Sequence, residues 1–198
     1  MYPESLKNLI EAFKILPGIG EKTAERMAFF VLGLDEDEVS FFSNSLLEAK
    51  EKLHPCKKCN NITDREVCSI CDTPNRDKNI LCVVEDTKSL YMFEKANVFH
   101  GYYHIIKNLI SPLNGINPED IGLEELLNRI QKENFKEIII AVKPSIEGET
   151  TSLYIKRVLE GLDIKVTRIA SGIPMGADIE YIDSLTLERA INDRKELE

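Results

Sequence analysis

The first fifty residues repeat apolar positions with the period of an α-helix. Leucine, isoleucine and phenylalanine recur every three or four residues, which predicts an amphipathic helix over residues 4–16. Pro17 ends this helix, because proline lacks a backbone donor and disfavours a helical conformation in the residue before it. The same spacing predicts a second helix that stops near Gly33 and a third that runs to Leu53. Residues 1–53 are therefore expected to form a helical module.

A second pattern follows from residue 79 onward, where short apolar runs alternate with helical patterns. Strands are predicted at residues 80–85, 98–106, 136–142 and 165–170, and helices at 87–96, 118–133, 147–162 and 184–194. Such alternation is typical of an α/β sheet with mainly parallel strands. The whole chain is predicted to be an α+β protein of several modules: a helical N-terminus, a small cysteine-rich module, an α/β domain and a helical C-terminal segment.

Between the two patterns, residues 54–78 lose their apolar periodicity and carry four cysteines. Cys56, Cys59, Cys68 and Cys71 form the spacing C-x2-C-x8-C-x2-C. Each C-x2-C pair can place two thiolates on one metal, and four thiolates fill the tetrahedral shell of zinc. One structural Zn²⁺ per chain is predicted, with no open position for a reactive water. Four reduced cysteines or a redox pair are the alternatives, and the paired spacing disfavours both.

Other residues near this cluster are expected to be structural. His54 lies beside the four cysteines, but four sulfurs suffice, so it is not assigned as a ligand. Lys57 and Lys58 are interpreted as solvated lysines rather than as phosphate contacts. Cys82 lies in an apolar strand and is interpreted as a small core residue rather than a nucleophile.

The stretch LPGIGEKTA joins the first two predicted helices through a glycine turn (residues 16–24). Gly18 and Gly20 permit a tight turn and a close approach by a phosphate, which the backbone N–H groups of the next helix would bind. Lys22 and Arg26 lie four residues apart, and so on one helix face. The stretch resembles the helix–hairpin–helix motif of DNA-repair proteins, which contacts the DNA backbone without reading sequence. An ordinary helical hairpin, or a motif used for protein contacts, is the alternative.

Acidic residues follow two of the predicted strands. Glu85 comes after the first strand, and Glu147 and Glu149 follow the third, so they are expected to converge at the carboxyl ends of parallel strands. The pattern resembles the Toprim domain of topoisomerases and primases, but Lys143 and Ser145 stand where those enzymes have two aspartates. Mg²⁺ prefers charged oxygens, so any divalent ion is expected to bind weakly here. Alternatively, the acids favour the following helix N-terminus and bind a basic partner surface.

Composition and charge limit the expected location and binding partners of the protein. The chain has 198 residues, 43% hydrophobic, and its longest apolar runs fall far short of a membrane span. Its start lacks the apolar core of a signal peptide, so a cytoplasmic protein without membrane contact is expected. The formal net charge of −9 opposes nucleic-acid binding overall, but residues 1–30 are locally neutral. DNA binding by an acidic chain should be very sensitive to salt.

Taken in order, these motifs resemble the RecR family of bacterial recombination mediators over essentially the whole chain. The stretch RIASGIPMGADIEYID (168–183) is similar to the late, Walker-B-like segment of that family. The resemblance implies four domains: a helix–hairpin–helix domain (1–53), a four-cysteine zinc finger (54–78), a Toprim domain (79–174) and a C-terminal Walker-B-like segment with a helix (175–198). The missing aspartate pair fits as well, since family members lack it.

The resemblance also implies a function without catalysis. Family members act with RecO, and in many bacteria RecF, to load RecA onto single-stranded DNA covered by SSB. They form a ring-like tetramer, a dimer of dimers, that can encircle DNA at the nucleoid. By position, the residues of the glycine turn would face DNA and the three acids would face RecO. Two alternatives stay open: a metal-dependent Toprim nuclease or topoisomerase-like enzyme, and a scaffold that contacts DNA only through partners.

Overall fold

The computed structural model describes residues 2–194 and 196 of the chain. The chain forms two compact units, Met1–Leu53 and His54–Glu198. Each unit has a hydrophobic core of its own. The last predicted domain runs to residue 198, and residues 195, 197 and 198 lie outside the described part.

Three helices build the first unit: α1 (Glu4–Lys14), α2 (Glu21–Val31) and α3 (Glu36–Lys52). α1 and α2 pack on each other around a small core in which Ile10, Ala24 and Ala28 are buried. α3 begins with a capping box, in which the Asp35 carboxylate accepts a hydrogen bond from the Glu38 N–H at 2.8 Å. These helices confirm the predicted helical N-terminus.

The second unit contains a cysteine-rich segment followed by alternating strands and helices. In chain order its elements are β1 (His54–Pro55), β2 (Ile62–Thr63), α4 (Ser69–Asp72), β3 (Asp77–Val84), α5 (Thr87–Ala96), β4 (Gly101–Ile105), α6 (Leu123–Glu133), β5 (Glu137–Ala141), α7 (Ile146–Val158), β6 (Lys165–Arg168) and α8 (Ser184–Asn192). β1 and β2 pair as a short antiparallel ribbon. Single 3-10 turns at Pro112–Asn114, Pro118–Ile121 and Ile179–Tyr181 lie between these elements.

The four longer strands form one parallel sheet in the order β4-β3-β5-β6. Successive residues of β3 point to opposite faces. Leu81 and Val83 pack in the cluster that contains α6 and α7, whereas Cys82 and Val84 pack in the cluster that contains α5 and the other four cysteines. Both faces are covered, as in other parallel sheets. The predicted mainly parallel α/β domain is confirmed, and the carboxyl ends of its strands meet at one edge.

Several predicted elements are shorter than expected; α7 ends at Val158 rather than at residue 162, and β6 ends at Arg168 rather than at residue 170. The helix predicted at 118–133 is instead a 3-10 turn over Pro118–Ile121 followed by α6 from Leu123. Gly122 separates them, because its φ of +75° is left-handed and ends the first turn. The strand predicted at 98–106 is limited to Gly101–Ile105.

Within the described ranges, none of the helices combines the length and apolar composition needed to cross a bilayer. α3, the longest of them, has 17 residues, and charged side chains lie at both of its ends.

Candidate zinc centre and nucleic-acid interface

The four predicted zinc ligands converge at one point. The Sγ atoms of Cys56, Cys59, Cys68 and Cys71 all lie within 4.8 Å of one another, and all four residues are buried. The Sγ atoms of Cys59 and Cys68 are 3.5 Å apart. Tetrahedral Zn–S bonds of about 2.3 Å place sulfurs roughly 3.8 Å apart, so the cluster fits one zinc ion. No position would remain for a reactive water.

Local backbone contacts shape the first knuckle of this cluster. The Asn60 N–H donates to the Cys56 carbonyl at 3.0 Å, and the Cys56 N–H donates to the Asn61 carbonyl at 2.7 Å. Asn60 has a φ of 62°, a left-handed conformation that asparagine tolerates better than most residues. The Cys68 N–H donates to the Cys56 sulfur at 3.3 Å. The two knuckles are therefore tied together by the backbone as well as by their thiols.

Ionisation of four crowded thiols requires a cation. The hydrogen bond with Cys68 raises the pKa of Cys59, and burial raises it further. The pKa of Cys68 is correspondingly lowered, because its sulfur accepts hydrogen bonds from the neighbouring thiols. A bound Zn²⁺ supplies the positive charge that keeps all four thiolates ionised and crosslinks the two knuckles.

The glycine turn leaves the start of α2 open. Gly18 has a φ of +80°, which requires glycine for the turn. Gly20 has an extended φ of −88° and is the N-cap of α2, with no side chain to occupy the first N–H groups of that helix. A Cβ built at Gly20 meets no atom within 4 Å. The chain's own packing therefore does not require glycine there, and no side chain caps the start of the helix.

Two unpaired cations flank this helix start. Lys22 and Arg26 are exposed, and neither forms an ion pair with any residue that the structure describes. Two acids lie beside them on α2, Glu21 and Glu25, and Glu21 pairs with Lys14 at 2.7 Å. Hydrogen bonds from Lys14 to Glu11 and Glu21 raise the pKa of the lysine. Helix dipole, free N–H groups and two cations together suit a phosphate.

The acids at the sheet edge do not form one cluster. Glu85 and Glu147 line a cavity of about 590 Å³ together with Lys143 and Ser145. The Ser145 hydroxyl is the N-cap of α7 and accepts from the Gly148 N–H at 3.2 Å. The backbone N–H of Glu147 and the Ser145 hydroxyl lower the pKa of Glu147. The position of one missing aspartate therefore serves as a helix cap.

Glu149 lies on another cavity and is paired there. Its carboxylate accepts from Arg168 at 2.6 Å, and Arg168 also contacts Asp193 at 3.3 Å. This cavity, of about 290 Å³, is lined by residues from the ends of β5 and β6 and from α8. The expected convergence of three acids is thus replaced by a pair, because residues two apart on a helix point about 200° apart.

The glycine between the two acids has a packing role. A Cβ built on Gly148 would lie 2.0 Å from the Lys143 carbonyl oxygen. α7 therefore approaches the end of β5 so closely that only glycine fits.

Family models and two named relatives match this chain over nearly its whole length. A family model described as the Toprim domain matches residues 79–170. Three models described as the helix-hairpin-helix, the four-cysteine zinc finger domain and the C-terminal part of RecR match residues 6–50, 53–72 and 172–195. The chain is 47% identical over 197 residues to a protein named recombination protein RecR from Streptococcus uberis, covering 100% of both chains. It is 44% identical over 196 residues to the protein of the same name from Natranaerobius thermophilus, covering 99% of this chain and 98% of that one.

The chain belongs to the RecR family.

Membership of the RecR family confirms the predicted zinc cofactor and Toprim fold. The zinc-finger model spans all four cysteines, and their sulfurs converge as that site requires. His54 is exposed and is not among the converging ligands. Burial raises the pKa of Cys82 to about 12, which fits a core residue rather than a nucleophile.

The burial of two polar residues was not predicted from the sequence. Arg129 is 6% exposed, donates to the Tyr103 carbonyl and pairs with Glu133 at 3.2 Å. Arg129 lies between Leu126 and Ile130 on the apolar face of α6, and this position could have predicted that it is buried. His104 is 1% exposed, and neither ring nitrogen has a hydrogen-bond partner among the described residues. Nothing in its short apolar strand indicated that it would be neutral and enclosed.

Proposed function

We propose that this RecR-family chain is a DNA-binding recombination mediator without catalytic activity. It would assemble into a ring-like clamp, act with RecO and in some settings RecF, and load RecA onto single-stranded DNA covered by SSB. The relatives named recombination protein RecR support the recombination role. A cytoplasmic, nucleoid-associated protein follows from the same proposal.

The open start of α2 is the observation that carries DNA binding. Gly18 shapes the turn, Gly20 places no side chain over the first N–H groups, and Lys22 and Arg26 are exposed on one helix face. These groups recognise a phosphate and do not read a base, so binding should be independent of sequence.

The proposed absence of catalysis rests on what occupies the sheet edge. Ser145 caps α7, and the backbone N–H of Lys143 lies 3.5 Å from the Glu85 carboxylate. Asp86 is also used structurally, since it caps α5 by accepting from the Ser89 N–H at 2.7 Å. A pair of metal ions in the Toprim manner would find the Glu85 and Glu147 carboxylates but, with Lys143 and Ser145 in place of the two aspartates, too few charged oxygens to hold both ions. We propose Glu85 and Glu147 as the partner-docking acids for RecO, with Glu149 contributing less because Arg168 already pairs with it.

Self-association is supported by the exposed apolar side chains of α3. No residue of α3 is buried, although the helix has 17 residues. Phe41 is 76% exposed and Leu47 is 68% exposed. Apolar surface of this extent on one helix marks an interaction site. A second copy of the chain is the proposed occupant, because a homo-oligomer brings the same face to itself around a symmetry axis.

The glycine turn is tested by removing its two cations. The double variant Lys22→Ala/Arg26→Ala should weaken DNA binding equally on unrelated sequences. The slope of log affinity against log salt should also fall by about one for each lost phosphate contact. Fluorescence anisotropy across a salt series measures both quantities on the same samples.

A matched variant separates a specific contact from a general effect of charge. Lys132→Ala removes an exposed lysine from α6 in the second unit and should leave the salt slope unchanged. If Lys132→Ala and the double variant lose equal DNA affinity, or if the double variant loses none, then the glycine turn is not the DNA contact. Either result would favour a scaffold that contacts DNA through partners.

A further inference from the structure

The outer edge of β4 is closed without a neighbouring strand. β4 is the last strand on its side of the sheet and pairs only with β3. The Ile105 N–H donates to the Cys59 carbonyl at 2.8 Å, on the side away from β3. The Asn60 side-chain amide donates to the Ile105 carbonyl at 3.1 Å. The knuckle that holds two zinc ligands therefore satisfies both free backbone groups of Ile105.

Two arginines close the edge further upstream. In a strand, alternate residues direct their backbone groups to the same side. The carbonyls of Gly101 and Tyr103 share the outer side with that of Ile105, and each accepts from an arginine: Gly101 from Arg76 at 2.8 Å and Tyr103 from Arg129. An open sheet edge invites pairing with another chain, and native proteins block it.

A polar latch holds the knuckle in this position. The Asn60 amide also donates to the Glu125 carboxylate at 3.0 Å, and Lys107 donates to the other oxygen of Glu125 at 2.6 Å. Glu125 lies on α6 and Lys107 follows β4, so the knuckle is tied to a helix and to the end of the edge strand. Hydrogen bonds to Lys107 and Asn60 lower the pKa of Glu125.

We propose that the Cys56–Cys59 knuckle acts as the outer partner of β4 and that Asn60, latched to Glu125, couples zinc binding to closure of this sheet edge. Zinc fixes the knuckle, the knuckle holds Ile105, and the Ile106 N–H donates to the Val84 carbonyl at 3.0 Å.

The coupling reaches the acidic end of the sheet. Val84 is followed by Glu85 and Asp86, which line a cavity together with Asn60, Ile105, Ile106 and Lys107. Loss of the latch would loosen one wall of this cavity while leaving the four thiolates in place. Asn60 is thus a positioning residue that acts through Ile105, and it is not itself a metal ligand.

Amide hydrogen exchange on the zinc-loaded full chain tests the latch directly. Asn60→Gly keeps a residue that tolerates the positive φ but removes the side-chain amide. We expect zinc content to stay at one ion per chain and exchange of the Ile105 amide to rise about tenfold, the factor expected from losing hydrogen bonds of this kind. The amide of Ile140 in the central strand should keep its wild-type rate.

Two matched variants control for backbone and charge. Asn97→Gly removes another left-handed asparagine, at the end of α5, and should not change exchange at Ile105. Glu125→Ala should reproduce the Asn60→Gly effect, whereas Glu124→Ala, its exposed neighbour on α6, should not.

Removal of zinc provides a second test of the coupling. Treating the wild-type chain with a chelator should raise exchange at Ile105 before it raises exchange at Ile140. The proposal is overturned if Asn60→Gly leaves Ile105 at its wild-type rate, or if Ile105 and Ile140 accelerate together in the zinc-loaded variant. It is also overturned if Glu125→Ala has no effect when Asn60→Gly does.

Discussion

Gly148 sets how closely α7 can approach the end of β5. A methyl group in place of its hydrogen would stand 2.0 Å from the Lys143 carbonyl oxygen, which belongs to the backbone and cannot rotate away. The helix would have to shift, and with it the Ser145 cap and the Glu147 carboxylate. The glycine in the E-G-E stretch is therefore explained by packing.

Gly148→Ala is expected to lower the free energy of unfolding by at least about 2 kcal/mol, within the range for forced overpacking. Chemical denaturation of the two chains measures the difference. Gly172→Ala is the control, because a Cβ there meets no atom within 4 Å and its φ is not left-handed. A Gly148→Ala chain as stable as the Gly172→Ala chain would contradict this packing.

His104 is expected to make the stability of the fold sensitive to mild acid. Its pKa is lowered to about 4 from the ordinary value of 6.5, mainly by burial and in part by the nearby Arg129 guanidinium, while Glu125 opposes the shift. The unfolded chain therefore binds a proton between about pH 6.5 and pH 4 that the folded chain does not bind. Stability should fall as pH falls through this window.

Between pH 7 and pH 5 this one histidine should cost about 2 kcal/mol of unfolding free energy. His104→Gln should lose that part of the pH dependence, whereas His100→Gln, at an exposed histidine, should retain it. Urea unfolding at the two pH values measures the difference. Identical pH profiles for wild type and His104→Gln would mean that the pKa of His104 in the folded chain is close to its ordinary value.

Among the elements, the glycine turn offers a way to separate helix stability from the proposed DNA binding. Gly20 has the extended backbone of an N-cap, so serine fits there and its hydroxyl can accept the N–H groups of the first turn of α2. Those N–H groups are the ones proposed to bind phosphate. A serine at position 20 should therefore stabilise the helix and weaken phosphate binding.

Gly20→Ser should raise thermal stability slightly or leave it unchanged while weakening DNA binding about tenfold. Calorimetry and anisotropy on the same preparation give both values. Gly33→Ser, at the other end of α2, supplies a comparison in which DNA binding should be unchanged. If Gly20→Ser binds DNA as wild type does, the N–H groups of α2 are not the phosphate site.

Elements with local signals were predictable from the sequence, and contacts between distant residues were not. The zinc ligands follow from a spacing within sixteen residues, and α3 begins at acids that favour a helix N-terminus. The pairing of Glu149 with Arg168 joins residues nineteen apart on different elements, and no pattern within α7 indicates it. The start of α6 was missed because Gly122 adopts a left-handed conformation within an otherwise helical pattern.

For the whole molecule, the negative net charge opposes DNA binding, whereas the exposed apolar surface favours self-association. Four copies would carry a formal charge of −36, four times −9, so a ring would repel DNA unless its cations gather on one face. The exposed apolar side chains of α3 nevertheless favour association of copies. DNA affinity should therefore fall steeply with salt, while self-association should resist salt.

The α3 face can be tested by placing a charge on it. Phe41→Glu should shift the chain toward smaller species in analytical ultracentrifugation, because a buried unpaired carboxylate opposes association. Glu51→Gln, a polar change at an exposed position near the end of the same helix, should leave the assembly unchanged. A wild-type distribution for Phe41→Glu would mean that α3 lies outside the interface.

The central claim, a clamp without catalysis, is tested most directly with one plasmid in closed-circular and linearised form. Each form is mixed with the protein and Mg²⁺, challenged with salt and run on a native gel. The circle should stay intact and retain protein through the challenge, whereas the linear form should release it from its ends. Nicking or relaxation of the circle that EDTA prevents would contradict the account and make the chain an enzyme, and equal release from both forms would contradict the clamp.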